Sequence, residues 1–215
     1  MVVYLVAILV AYAIGSINFS VIISRKIAGF DVREKGSGNA GTTNMLRSVG
    51  KKAAIITLLC DILKGIVAIA LAILVGNILP DSNPAILVSI AGVFVVIGHT
   101  FPIFFEFRGG KGVATALGVL LVINWQIGLI CLVFALILMA LTKMVSLGSI
   151  MVAILFPVLT VFISENYIVE AESGNKIVYI IFGISMGIIV IFNHRKNLKR
   201  ILNGTENKLN FKKVK

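Results

Sequence analysis

Charge is scarce in this chain, and acidic charge scarcest of all. Asp, Glu, Lys and Arg make up 13% of its 215 residues, against about a quarter in soluble globular domains. Hydrophobic residues reach 59% and mean hydropathy is +1.05, so a soluble globular domain is excluded. The nine carboxylates are scattered, and the only histidines are His99 and His194. No metal centre therefore has ligands at a recognisable spacing, and no metal is expected. Cys60 and Cys131 both lie inside apolar runs, which reads as packing rather than a disulfide framework. The net charge of +11 does not indicate nucleic acid, because aromatic side chains are not interleaved with the cations as single-strand binding requires.

What is present is a series of apolar runs joined by short basic or glycine-rich loops. A bilayer core of about 30 Å needs about 20 apolar residues per helix. On that measure the chain is an all-α polytopic membrane protein with one integral-membrane domain, 1–215, of seven spans, some of them short. The first runs from Val2 to Ser24 and, having no basic leader segment, reads as a retained span. Arg25, Lys26, Arg33, Lys35, Arg47, Lys51 and Lys52 follow it, a strong cytoplasmic mark that places the N-terminus outside. Ala53 to Leu79 is the second span. Its Asp61 and Lys64, at i and i+3, share one helix face, as a structural ion pair or as a support for the preceding loop. Pro80 to Pro84 makes an outer turn, and Ala85 to Ile97 returns.

Gly112 to Ile123 and Ile127 to Leu141 are each shorter than a bilayer core. Two short spans, with Trp125 at the outer interface, bring the basic tail of Arg195, Lys196, Lys199 and Arg200 to the same side as the first loop. Lys111 would then sit recessed below the headgroups, where a site could meet an acyl chain. Met144 to Ser164 and Ile177 to Asn193 complete the seven, with Glu165, Glu170 and Glu172 outside and the C-terminus in the cytoplasm near anionic membrane lipids.

Three polar clusters fall on that one side: Gly36-Ser37-Gly38-Asn39-Ala40-Gly41-Thr42-Thr43-Asn44-Met45-Leu46-Arg47, Gly109-Gly110-Lys111-Gly112, and His194-Arg195-Lys196-Asn197. Glycine lets backbone amides converge on an anion, and Arg47, Lys111, His194 and Arg195 add charge. Ser37, Asn39, Asn44 and Asn197 add neutral hydrogen bonds, an inventory that suits two phosphate groups. The Lys111 loop lacks the following Ser or Thr of a nucleotide-binding loop, so ATP is not expected. Glu106 reads as a solvated or paired charge and His99 as a structural hydrogen-bonder. Ser146 and Ser149 are helix-end caps or ligand contacts.

These motifs, with Gly98-His99-Thr100-Phe101-Pro102, Phe107 through Thr115, and His194 through Arg200 followed by Gly204 and Glu206, closely resemble the three signatures of the bacterial acyl-phosphate:glycerol-3-phosphate acyltransferases. The resemblance spans essentially the whole chain. It implies transfer of a fatty acyl group from acyl phosphate to the C1 hydroxyl of glycerol 3-phosphate, giving lysophosphatidic acid and inorganic phosphate, with no cofactor. It further implies that backbone amides of Ser37, Gly38 and Asn39 and of Gly109, Gly110, Lys111 and Gly112 hold the acyl phosphate. Arg47, Lys111, Ser146, His194 and Asn197 would bind glycerol 3-phosphate, with Thr43 and Asn44 shaping the pocket between. A mixed anhydride carries a good leaving group, so positioning and charge stabilisation suffice without a covalent nucleophile. Two alternatives stay open: a phosphate or organophosphate transporter, and an acyltransferase that draws on acyl-CoA or acyl-carrier protein.

Overall fold

A computed structural model of the chain describes residues 1–79, 82–163, 167 and 175–209. The expected outer positions of Asp81, Glu165, Glu170 and Glu172, and the last residues of the tail, lie outside these. The described residues form ten α-helices: α1 Val2–Gly15, α2 Phe19–Ala28, α3 Thr42–Ser48, α4 Lys51–Ile78, α5 Pro84–Thr100, α6 Val113–Ile123, α7 Trp125–Thr142, α8 Val145–Phe162, α9 Asn175–Asn193 and α10 Arg195–Leu202. Six segments are long and apolar enough to cross a membrane, the first being α1 and α2 together. The seventh expected span, α6, has only 11 residues.

Local sequence explains most of the boundaries. Asn18, Asn83 and Asn124 each accept a hydrogen bond from the amide three residues on, at the starts of α2, α5 and α7, and Pro84 occupies the first turn of α5. Asn124 is thus the whole connection between α6 and α7, so the stretch is two helices as the charge distribution suggested, but α7, with 18 residues, is long enough to cross a membrane and only α6 is short. Gly118 of α6 sits against the backbone of Ile62 in α4, and Gly98 of α5 against the backbone of Tyr12 in α1. Small residues permit this close helix approach where lipid supplies no hydrophobic drive. The main core gathers Val88, Val95, Val119, Ile127, Phe182 and Met186 from α5, α6, α7 and α9.

The first span departs from expectation. It is not one helix from Val2 to Ser24 but breaks between Gly15 and Phe19. The carbonyls of Gly15 and Ile17, freed by the break, accept hydrogen bonds from the buried Lys64 ammonium at 3.1 and 3.0 Å. Unwound backbone at membrane depth survives only where protein satisfies it, and here a lysine of α4 does so.

Both ends of the bundle can be traced. Tyr4 accepts a hydrogen bond from the Asn83 amide, and Asn83 contacts Asn175, so the start of α1, the α4–α5 turn and the start of α9 lie together. The three polar clusters gather elsewhere, with Lys111 bonded to Asn197 and the Leu209 amide bonded to the Lys143 carbonyl. Since α6 begins in this polar assembly and α7 ends in it, the Asn124 turn points away from it.

Candidate active site

The first loop is held rigid from within. The buried Asn44 side chain donates to the carbonyls of Val32 and Lys35 and accepts from the Ser37 amide. Gly36 has φ +58°, and a Cβ there would overlap the Asn44 side-chain oxygen. Asp31 grips the Arg33 guanidinium through both its oxygens. Burial acts to raise the Asp31 carboxyl, but its bonds to Arg33 and Arg25 prevail and hold it at about 2. The same Arg33 donates to the Phe105 carbonyl at 2.7 Å, tying this loop to the segment that leads into Lys111.

That second segment folds back on itself. The Gly109 amide donates to the Thr100 carbonyl and the Gly110 amide to the His99 carbonyl, both at 3.1 Å. These two amides, expected as phosphate donors, are bonded to backbone carbonyls in this structure. The amides of Ser37, bonded to Asn44, and Gly38, bonded to the Lys35 carbonyl, are likewise engaged. No described hydrogen bond uses the amides of Asn39, Ala40, Lys111 or Gly112, which remain as donors from the two loops.

Around Lys111 the clusters converge. Its ammonium donates to Oδ1 of the buried Asn197 at 2.5 Å. The amide of Asn197 donates to Oε1 of Glu206 at 2.8 Å, Ser146 Oγ donates to the same oxygen at 2.9 Å, and Arg200 Nε donates to Oε2 at 2.8 Å. Ser149 bonds instead to the Val145 carbonyl of its own helix, so Ser146 is the serine that faces this assembly. Asn193 joins the second and third clusters by donating to Thr100 Oγ1 and, at 3.4 Å, to the Lys111 carbonyl. Arg47, on α3, has no described hydrogen bond, and Thr43 lies one turn before it in the same short helix.

The electrostatics follow from burial. Burial is the main force drawing the Lys111 ammonium down to about 8; Glu206 opposes it, while Arg200 and Arg47 add to it. For Glu206, burial acts upward, but the hydrogen bonds from Arg200, Asn197 and Ser146 outweigh it and keep the group a carboxylate. His194 is drawn to about 4, by burial first and then by Lys111. Its Nδ1 lies 2.8 Å from the Val190 carbonyl, which can only accept, so Nδ1 carries the hydrogen and Nε2 keeps a lone pair. His194 thus contributes a neutral acceptor at physiological pH rather than the positive charge expected of it.

An apolar cavity lies beside this polar assembly. Val113, two residues after Lys111, Ser149, one turn beyond Ser146, and Val190, one turn before His194, line its near side. Ala116, Ala153 and Phe156 continue it between α6, α7, α8 and α9.

The sequence shows Arg200 as a cation of the basic tail and Glu206 as part of a motif, and assigns neither a place in the site. The signal was available, since Glu206 is a lone acid in a basic tail. The sequence pairs Asp61 with Lys64 but gives no sign that His99 joins them; Lys64 Nζ lies 3.1 Å from Asp61 Oδ1 and 2.8 Å from His99 Nδ1.

Comparison with known proteins agrees in kind. Residues 5–204 match the family model described as glycerol-3-phosphate acyltransferase. The glycerol-3-phosphate acyltransferase of Clostridioides difficile (strain 630) is 40% identical over 210 residues, covering 98% of this chain and 97% of the relative. That of Thermoanaerobacter sp. (strain X514) is 41% identical over 201 residues, covering 94% and 93%. Among solved structures, the glycerol 3-phosphate form of PlsY, an integral membrane glycerol 3-phosphate acyltransferase, superposes with a TM-score of 0.80 at 34% identity, covering 96% of each chain. Its lysophosphatidic acid form gives 0.79 at 34% identity, covering 96% and 95%.

Proposed function

This chain belongs to the glycerol-3-phosphate acyltransferase family, a membrane-embedded enzyme rather than a transporter, and on that premise we propose that its acyl donor is acyl phosphate. The acyl carbonyl bonds to the C1 oxygen of glycerol 3-phosphate, the acyl–phosphate bond breaks, and the hydroxyl proton leaves on the departing inorganic phosphate. Lysophosphatidic acid is the product. Arg47, Lys111, Ser146 and Asn197 bind the acceptor's phosphate, and the lone pair of His194 Nε2 accepts from a glycerol hydroxyl. The donor phosphate lies on the free amides of Asn39, Ala40, Lys111 and Gly112, with Thr43 beside it.

The observation that carries this reading is the junction of two environments. Arg47 and Arg200 both act on the charge of Lys111 beside a single carboxylate, Glu206, and an apolar cavity begins two residues after Lys111. An anionic head on an acyl chain meets both. Because the donor is already activated, alignment and charge stabilisation supply the catalysis, and no nucleophilic triad is called for.

The same proposal sets the protein in the bacterial cytoplasmic membrane as seven spans, α6 being the short one, with the N-terminus outside and the site facing the cytoplasm. Its support is the concentration of cations in the Arg25–Lys52 loop and the tail, at the end of the bundle where the site lies. Purified protein offered acyl phosphate, acyl-CoA or acyl-carrier protein, each with glycerol 3-phosphate, tests the donor. Turnover is expected with acyl phosphate alone; turnover with acyl-CoA but not acyl phosphate overturns the assignment.

A further inference from the structure

A second cluster of charge is buried outside the substrate pocket. Asp61, Lys64 and His99 are 2%, 4% and 5% exposed. The Lys64 ammonium has three hydrogens, and three acceptors surround it: the carbonyls of Gly15 and Ile17 and, at 2.8 Å, His99 Nδ1. Asp61 Oδ1, 3.1 Å away, balances the charge without a well-aligned hydrogen bond. A protonated Lys64 can only donate to Nδ1, which places the ring's hydrogen on Nε2; Asp61 Oδ1 lies 3.4 Å from the same Nδ1.

The Nε2 edge lies against the glycine loop. A Cβ added to Gly110 would overlap His99 Nε2 and press on the Ala40 carbonyl, so the ring sits at the seam where the first and second loops meet. His99 also holds Gly110 through its backbone, accepting the Gly110 amide at 3.1 Å. Lys111 is the next residue. A single ammonium thus links the break in the first span, the ring beneath Gly110 and, through the loop, the lysine that reaches Asn197.

We propose that Asp61, Lys64 and His99 are positioning residues for acyl transfer: they fix the depth of the Gly109–Gly112 loop and so hold Lys111 at its buried place in the pocket. The proposal rests on the reading of Lys111 as a substrate ligand. It differs from a purely structural ion pair in one measurable respect. If the relay is lost while the fold persists, Lys111 moves toward water, so the basic limb of the pH profile shifts as well as the amplitude. The charged and titratable groups that face Lys111 are Arg47 of α3, His194 at the end of α9, Arg200 of α10 and Glu206, and all remain in the variants below.

The first variant is Asp61→Asn/Lys64→Met, which removes both charges together; removing one would strand the other in the interior. The second is His99→Asn, whose side-chain oxygen can still accept from Lys64 while the ring edge beneath Gly110 is gone. Each is purified in detergent and compared with the parent for monodispersity, melting temperature and kcat/KM across pH. Both variants should stay folded, lose about tenfold or more in kcat/KM, and show a basic limb about one unit higher as Lys111 is rehydrated. Folded variants with parental activity and an unmoved limb overturn the proposal, as does a loss of amplitude with no shift. Failure of both to fold overturns it too, by making the cluster a requirement of the fold alone. Lys111→Ala, assayed in parallel, separates the two ideas. If it keeps parental turnover, the site reading is wrong and nothing remains to be positioned; if it is inactive while the relay variants behave as the parent, only the relay fails.

Discussion

Lys111 gives the most direct test of the site because its charge is poised to be lost within an accessible pH range. An ordinary lysine, at 10.5, stays protonated throughout an enzyme assay, whereas burial brings Lys111 to about 8. The protonated fraction is then about 0.9 at pH 7, one half at pH 8 and about 0.1 at pH 9, so a step that requires the ammonium slows about tenfold from pH 7 to pH 9. The sign is fixed: activity falls as pH rises, because only the protonated form neutralises phosphate. The assay is kcat/KM for glycerol 3-phosphate at saturating acyl phosphate, followed by product formation. Lys111→Arg is the control, since guanidinium keeps its charge above this range. Its absolute rate should be lower because the fork does not match the single bond to Asn197, but its alkaline limb should vanish. A limb near 8 that survives unchanged in Lys111→Arg would falsify the assignment of that limb to this residue.

Three further outcomes follow from the same geometry. Lys111→Ala should reduce turnover about 100-fold or more while the protein stays folded by circular dichroism and size exclusion, as removal of a preorganised charge partner does. Gly110→Ala introduces a methyl group where His99 Nε2 and the Ala40 carbonyl already lie. Overpacking of about 1–3 kcal/mol should appear as a lower melting temperature together with lost activity, and an unaltered enzyme would contradict the close packing. Ala153→Phe fills the cavity between α6 and α9, so kcat/KM for the longest acyl phosphates should fall about tenfold while short ones are spared; equal losses at every chain length would detach the cavity from the acyl chain.

The sequence displays the membrane plan openly because hydrophobicity is a local property: the apolar runs, the Asn124 interruption and the Asp61–Lys64 spacing each occupy one contiguous stretch. The break after Gly15 is hidden, since Ser16, Ile17 and Asn18 look compatible with a continuing apolar helix. What opens it is a lysine 49 residues further along that takes the Gly15 carbonyl. The glycine amides mislead for a related reason. Gly109 and Gly110 look like free donors in a loop, yet the end of α5 supplies their acceptors. His194 is legible as a site candidate but not as a neutral one, because its charge depends on burial and on Lys111, 83 positions away in the chain.

The charges at the site argue for the kind of ligand it takes. Glu206 is already engaged by Ser146, Asn197 and Arg200, so its oxygens are largely satisfied within the protein. Lys111 hydrogen-bonds one neutral partner, Asn197, and burial, aided by Arg200 and Arg47, disfavours its charge against the weaker pull of Glu206. A cation held this way is destabilised in the empty pocket and stabilised when an anion enters, so part of the affinity is prepared by the fold before substrate arrives. A neutral ligand would leave that tension in place, whereas a phosphate dianion relieves it. His194 sharpens the distinction, because as a neutral acceptor it adds no charge to the cluster and is suited to a hydroxyl. In the proposed binding mode, one pocket separates the two ends of glycerol 3-phosphate by physical means: cations for the phosphate, a lone pair for the alcohol, and an apolar cavity alongside for the chain that the alcohol receives.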